Sequence, residues 1–166
     1  YLIRETTPFV FVDESGIIDS DGLSMMSVGA LHVFGSLSEI NRELREVFLE
    51  AVNTLGQEEK TFEFKFNYIK PTNLSFYKKL LGILKRHQDQ WEFSYQMQKR
   101  AGTGFWKQYL YLLYVLLHNI PGYFTVLADY LNQPGKNSRP IETAVYLQLV
   151  DILLGGIVFD RAKGKN

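Results

Sequence analysis

Short runs of hydrophobic residues, several of them alternating with polar residues, recur along the chain between longer segments of helical spacing. The runs at residues 8–13, 24–34, 61–67, 90–98 and 123–131 predict five β-strands. The first two are separated by the polar turn 14–22, so we expect them to form a hairpin. In 61–67, with the sequence TFEFKFN, aromatic residues alternate strictly with polar ones, which predicts a strand with one buried face.

The segments between these runs predict four helices. Apolar residues repeat at helical spacing from Leu37 to Leu55, where Ser36 or Ser38 begins a helix and Gly56 ends it. Further helices are expected from Asn73 or Ser75 onwards, over 103–120 and over 142–160. Strands and helices in this order, after an initial hairpin, predict an α/β fold with a sheet of mixed direction flanked by helices.

Composition and length favour one globular domain over residues 1–166. No cysteine is present, which excludes disulfides and thiolate metal sites and suits a cytoplasmic protein. The most apolar run, 109–117, is short of the ~20 residues that cross a bilayer, so we predict a core helix and no membrane partner. A surface that forms a homo-oligomer is the alternative for this helix.

Charge is divided unevenly along the chain although the net charge is zero. Residues 1–59 hold 11 acids and 3 bases, whereas residues 60–166 hold 7 acids and 15 bases. Two solvated faces of opposite sign explain this division, and so does a basic face that binds a polyanion.

Three aspartates lie in segments that are otherwise apolar. Asp13 ends PFVFVD, Asp129 lies within YFTVLADYL, and Asp151 lies within YLQLVDILLGGIVF. A buried carboxylate is costly unless it is paired, hydrogen-bonded or bound to a metal. A shared divalent cation explains all three, and Mg²⁺ and Mn²⁺ prefer such ligands. The three histidines lie on separate elements without zinc-ligand spacing.

Two further patterns have a structural and a functional interpretation. The alternation in 61–67 places Glu63 and Lys65 on one face, as a surface ion pair or as a fourth metal ligand beside a lysine that contacts phosphate. The residues alone favour the ion pair. Gln148, Asp151 and Gly155 share one face of the last helix, where the small residue allows a close approach to the sheet. Simple helix packing also explains that face.

Four motifs in this order resemble the uncharacterised family catalogued as "domain of unknown function 3800". They are VDESG at 12–16, E-x-K at 63–65, VLADYL at 126–131 and QLVDILLGGIVFDR at 148–161. The resemblance covers nearly the whole chain and implies a ribonuclease H-like fold. In that superfamily, acids on the first strand, on the neighbouring strand and on the last helix bind two metal ions, and Asp13, Asp129 and Asp151 match those places. Glu14 and Ser15 match the family's DES motif.

The chain departs from the family pattern in two places. The superfamily often has a glutamate on the helix before the second aspartate strand, but 103–120 holds no acid, so Glu63 is our candidate for the fourth ligand. The family usually has another helix and strand before the QLxD helix, where this chain has only 132–141. Either an edge strand has been lost or a segment is missing there, and we favour a missing segment.

The leading hypothesis is therefore a nuclease that hydrolyses nucleic acid with two Mg²⁺ or Mn²⁺ ions ~3.5–4 Å apart. Asp13 would bridge the ions, Asp129 and Asp151 would each hold one, and Lys65 would neutralise charge on the scissile phosphate. The alternative is a non-catalytic binding or oligomerisation module on the same fold, because a fold does not imply a function.

Overall fold

A computed structural model describes residues 8–18, 24–99, 104–128 and 141–163 of the chain. These residues form four β-strands and four α-helices. In chain order, the elements are β1 (Phe9–Ile18), β2 (Ser24–Val33), α1 (Ser38–Leu55), α2 (Leu74–Arg86), β3 (Trp91–Lys99), α3 (Phe105–His118), β4 (Thr125–Ala128) and α4 (Ile141–Lys163).

The strands form one mixed sheet in the order β3-β2-β1-β4. β1 is central, because it pairs with β2 antiparallel from Phe9–Val33 to Ile18–Ser24 and with β4 parallel from Phe9–Thr125 to Val12–Ala128. The predicted hairpin and the α/β class with a sheet of mixed direction are therefore confirmed, and β4 lies beside β1, as the resemblance implied for the strands of Asp13 and Asp129.

The alternation of side chains along β1 separates two hydrophobic cores. Phe11 belongs to the larger core with buried residues of α1, α2 and α4, whereas Val10 and Val12 pack with α3 on the opposite face. Residues i and i+2 of a strand share a face. The two cores therefore show on which side of the sheet any other residue of β1 lies.

The acids of α1 meet the bases of α2 in the folded chain. Lys79 Nζ lies 2.6 Å from Glu50 Oε2, and Arg86 pairs with Glu43. The bridge of Lys79 with Glu50 is about half exposed and worth about 0–1 kcal/mol, whereas Glu43 in the other bridge is mostly buried. Part of the charge asymmetry along the sequence is therefore neutralised within the molecule, which leaves fewer bases for a polyanion-binding face.

Two predictions about the strands are wrong in detail. β1 does not end at Asp13 but continues to Ile18, so DESG lies within a paired strand and not in a turn. Residues 61–67 are not a strand. Residues 62–65, in which Lys65 has extended backbone angles, pair with no strand of the described sheet, and Phe66–Tyr68 form a 3₁₀ turn. We call residues 62–66 the extended segment. The side-chain alternation itself is confirmed, since Phe64 is buried while Glu63 and Lys65 are half-buried.

The two most apolar helices differ in how they are covered. In α3, Tyr109, Leu112 and Leu116 are buried, but Trp106, Leu110, Tyr111 and Tyr114 are between 57% and 65% exposed. The core-helix prediction thus holds for one face only. By length and composition alone, Thr143–Arg161 of α4 could cross a membrane, although this helix packs on β1, β2 and α1.

Candidate acidic site

Asp13 lies on the face of β1 that packs against α4. It follows Phe11 by two residues, and Phe11 belongs to the core that contains α4. Asp13 is half-buried, and its Oδ1 accepts the backbone N–H of Glu14 at 2.9 Å. Glu14 faces α3 instead: burial raises the pKa of Tyr109 to about 12, and the charges of Glu14 and then Asp13 add to that effect.

A glycine on β2 brings α4 close to the position of Asp13. Gly29 is the register partner of Asp13. A Cβ at Gly29 would lie 3.0 Å from Phe93 Cζ and 3.2 Å from Val150 Cγ1. The residue before Asp151 on α4 therefore packs directly beside the strand pair that carries Asp13.

The side chains of Gln148 and Asp151 bind the backbone of the extended segment. Gln148 Oε1 accepts the N–H of Phe64 at 3.0 Å, and Asp151 Oδ2 accepts the N–H of Phe66 at 2.7 Å. The Tyr77 hydroxyl accepts the N–H of Lys65 at 3.3 Å and donates to its carbonyl at 2.9 Å. Three side chains thus satisfy the backbone groups that a neighbouring strand would otherwise bind.

Gly155 makes the contact between this segment and α4 possible. A Cβ at Gly155 would lie only 2.4 Å from Phe66 Cγ. The close approach that the small residue allows is therefore to Phe66, and not to the sheet as the sequence suggested. Gln148, Asp151 and Gly155 together form one face of α4 that binds 64–66.

Glu63 and Lys65 form an ion pair on the outer face of the segment. Lys65 Nζ lies 2.7 Å from Glu63 Oε1, and both side chains are more than 40% exposed. The hydrogen bond to Glu63 raises the pKa of Lys65, and the charges of Glu63, Tyr68 and Asp151 raise it further against the opposing effect of burial. Lys65 therefore lies within electrostatic reach of Asp151 and remains protonated at neutral pH.

Only part of the predicted set of acidic ligands lies among the described residues. Asp13 and Asp151 lie on the same side of β1, and Glu63 lies on the segment that Asp151 binds. Asp129, like most of 132–141, is outside the described residues. Among those that are described, no three acidic or histidine side chains form a group that could hold a metal ion.

Sequence reasoning did not identify the bonding role of Gln148, Asp151 and Tyr77. The shared face of Gln148 and Asp151 was a signal, but the identity of the group they contact was not readable from their spacing. Tyr77 gave no signal in the sequence, and only the structure shows that it is buried on α2.

The fold and the site define an α/β protein with a mixed sheet and a largely apolar helix, carrying Asp151, that packs on the central strand. Searches against protein-family models, curated proteins and solved structures find no match to this chain.

Proposed function

We propose that the protein is a divalent-metal-dependent nuclease with a ribonuclease H-like fold. The observation that carries the proposal is the pairing of β1 with β4. The described parallel register ends at Val12–Ala128, and in the sequence the next residue on each side is an aspartate, Asp13 and Asp129. The helix that carries Asp151 packs against the face of β1 on which Asp13 lies.

The chemistry of these residues fits Mg²⁺ or Mn²⁺. Both ions prefer carboxylate oxygens. One oxygen of Asp151 accepts the N–H of Phe66, but its Oδ1 has no hydrogen-bond donor within the described part of the chain. Asp151 therefore combines a structural bond through one oxygen with a second oxygen that is available as a ligand. When bound, such an ion supplies Lewis-acid catalysis of phosphodiester hydrolysis.

Lys65 is the cation that this chain itself provides near Asp151. Its ammonium is held by Glu63, and its raised pKa keeps it charged at neutral pH. A fixed positive charge beside the acids would stabilise the charge that develops on a scissile phosphate. Glu63 would then serve either as the partner that orients Lys65 or as the fourth ligand.

Replacing Asp151 tests the metal-ligand role separately from the structural one. Asp151→Asn keeps an oxygen for the Phe66 N–H but removes the negative charge, whereas Asp151→Ala removes both. We expect Asp151→Asn and Asp13→Asn to weaken Mn²⁺ binding in calorimetric titration and to abolish cleavage of nucleic acid. Asp151→Ala should in addition lower the free energy of unfolding by about 1.5–3 kcal/mol, the value of a hydrogen bond to a charged group.

Asp160 supplies a matched control, because it is an exposed acid on the same helix. Asp160→Asn should bind Mn²⁺ and cleave like the wild type. The substrates are single-stranded, double-stranded and hybrid nucleic acids, each with Mg²⁺ and with Mn²⁺. A wild-type protein that binds neither ion, or an Asp151→Asn variant that cleaves normally, would contradict the nuclease proposal.

The uncovered face of α3 favours a second candidate function, a module that assembles with itself. Its exposed residues Trp106, Leu110, Tyr111 and Tyr114 are apolar or aromatic, and α3 holds no acid, one lysine (Lys107) and one histidine at its end (His118). Two copies of such a face would meet without like-charge repulsion. Sedimentation analysis should then show a dimer that Leu110→Glu dissociates, and a monomeric wild type would remove this candidate.

A further inference from the structure

The exposed aromatic ring of Tyr68 lines a groove beside the acidic site. The groove has a volume of about 460 Å³ and runs between the end of α1, the extended segment and the loop before α2. Tyr68, Lys70, Asn73 and Tyr77 line it together with Glu63. This volume lies in the range of small-ligand sites, and the lining combines aromatic, amide and charged groups.

Hydrogen bonds to the backbone N–H and C=O groups of Tyr68 fix the position of this residue. Its N–H donates to the carbonyl of Lys65 at 3.0 Å, and its own carbonyl accepts from Asn73 Nδ2 at 2.9 Å. The side chain is nevertheless 50% exposed. A ring held by a rigid backbone, with half its surface free, loses little conformational freedom when a flat group stacks on it.

Two lysines flank this ring. Lys65 Nζ lies 5.8 Å from the ring centroid of Tyr68. Lys70 lines the same groove. An exposed aromatic ring with lysines nearby is an arrangement with which proteins bind the bases and the phosphates of single-stranded nucleic acid.

We infer that this groove binds single-stranded nucleic acid, with one base stacked on Tyr68 and the backbone phosphates at Lys65 and Lys70. The ligand class rests on the proposed nuclease function. A single strand is required because a base in a duplex already stacks on its neighbours and presents no free face to an exposed ring. Lys65 lies beside the Tyr68 ring and directly precedes Phe66, whose N–H binds Asp151, so a phosphate at Lys65 lies next to the acidic site.

Binding of fluorescent oligo-dT and oligo-U, followed by polarisation in the presence of EDTA, tests the groove without cleavage. Tyr68→Ala should weaken binding about tenfold or more, as the loss of one stacked base predicts, whereas Tyr68→Phe should bind like the wild type. Tyr111→Ala is the matched control, because Tyr111 is equally exposed but lies on α3. Lys70→Gln should reduce the slope of log affinity against log salt by about 0.7.

The outcomes separate the groove from the nuclease proposal. Three results would each contradict binding of single-stranded nucleic acid in the groove. They are equal binding by Tyr68→Ala and the wild type, tighter binding of duplex than of single strands, and no binding by the wild type. If cleavage still depends on Asp151 in such a case, the nuclease proposal stands alone. If the wild-type protein binds nucleic acid through Tyr68 but binds no divalent ion, the proposal for the groove is supported and the nuclease proposal fails.

Discussion

The adjacent glycines of α4 allow a sharp test of how this helix meets the extended segment. A Cβ at Gly155 would lie 2.4 Å from Phe66 Cγ and 2.6 Å from Phe66 Cβ, about 1 Å short of the 3.4 Å at which ordinary contact begins. A Cβ at Gly156 would meet nothing within 4 Å. Gly155→Ala must therefore displace Phe66, whereas Gly156→Ala should displace nothing.

The magnitude follows from three contributions. Replacing a helical glycine by alanine gains about 1 kcal/mol at either position. Overpacking at Gly155 costs about 1–3 kcal/mol. If Phe66 moves away, its N–H also loses Asp151 Oδ2, now 2.7 Å away, at a further cost of about 1.5–3 kcal/mol. Because the propensity gain is common to both variants, we expect the free energy of unfolding of Gly155→Ala to lie about 2.5–6 kcal/mol below that of Gly156→Ala.

Urea denaturation of both variants, followed by circular dichroism, measures this difference. Because the helix-propensity gain is common to both, the comparison isolates the contact with Phe66. In a Phe66→Ala background, Gly155→Ala should cost much less, since the two positions are coupled only through that contact. Equal midpoints for the two alanine variants would refute the close packing of Phe66 on α4.

Two histidines should give stability a dependence on pH of opposite sign. Burial lowers the pKa of His32 from 6.5, and both ring nitrogens are buried without a partner, so the unfolded state takes up the proton first. The free energy of unfolding should therefore fall as the pH drops below 6.5, and His32→Phe should remove this loss in urea titrations at about pH 7.5 and pH 5. The hydrogen bond that His87 donates to Glu43, and then that to Gln90, raises the pKa of His87 against the opposing effect of burial. The contribution of His87 to stability is therefore present below 6.5 and is lost as the pH rises through the raised value. Glu43→Gln should return the pKa of His87 towards 6.5 in an NMR titration, and a wild-type His87 that titrates below 6.5 would contradict the observed geometry.

The periodicity of the sequence predicted most of the sheet correctly. Alternating or continuous apolar runs predicted the hairpin of β1 and β2 and the strands β3 and β4, because side-chain period and length report directly on burial. The place of β4 beside β1 was implied by the family resemblance and not by the periodicity. The end of β1 was misplaced by five residues, since Glu14 and Ser15 are polar and Gly16 is a frequent turn residue. In the structure the pairing with β2 continues across them, from Glu14–Val28 to Ile18–Ser24.

The sequence identified several residues of the candidate site but not most of the contacts that they make. An aspartate in an almost wholly apolar helix marked Asp151 as unusual, and the ion pair of Glu63 with Lys65 was the interpretation that the spacing favoured. The groove at Tyr68 had no sequence signal, because its walls come from α1, the extended segment and the loop before α2.

The segment 61–67 shows most clearly what the sequence determines by itself. Strict alternation predicted that Phe62, Phe64 and Phe66 share one face. Although no strand forms, Phe62 and Phe64 pack in the larger core and Phe66 packs against Gly155 of α4. A period of two specifies which side chains are apolar together, but it carries no information about the partners of the backbone N–H and C=O groups. Only the tertiary structure decided those partners, because it brings Gln148 and Asp151, 84 and 85 residues further along the chain, within 3.0 Å of the amide nitrogens that a sheet would otherwise bind.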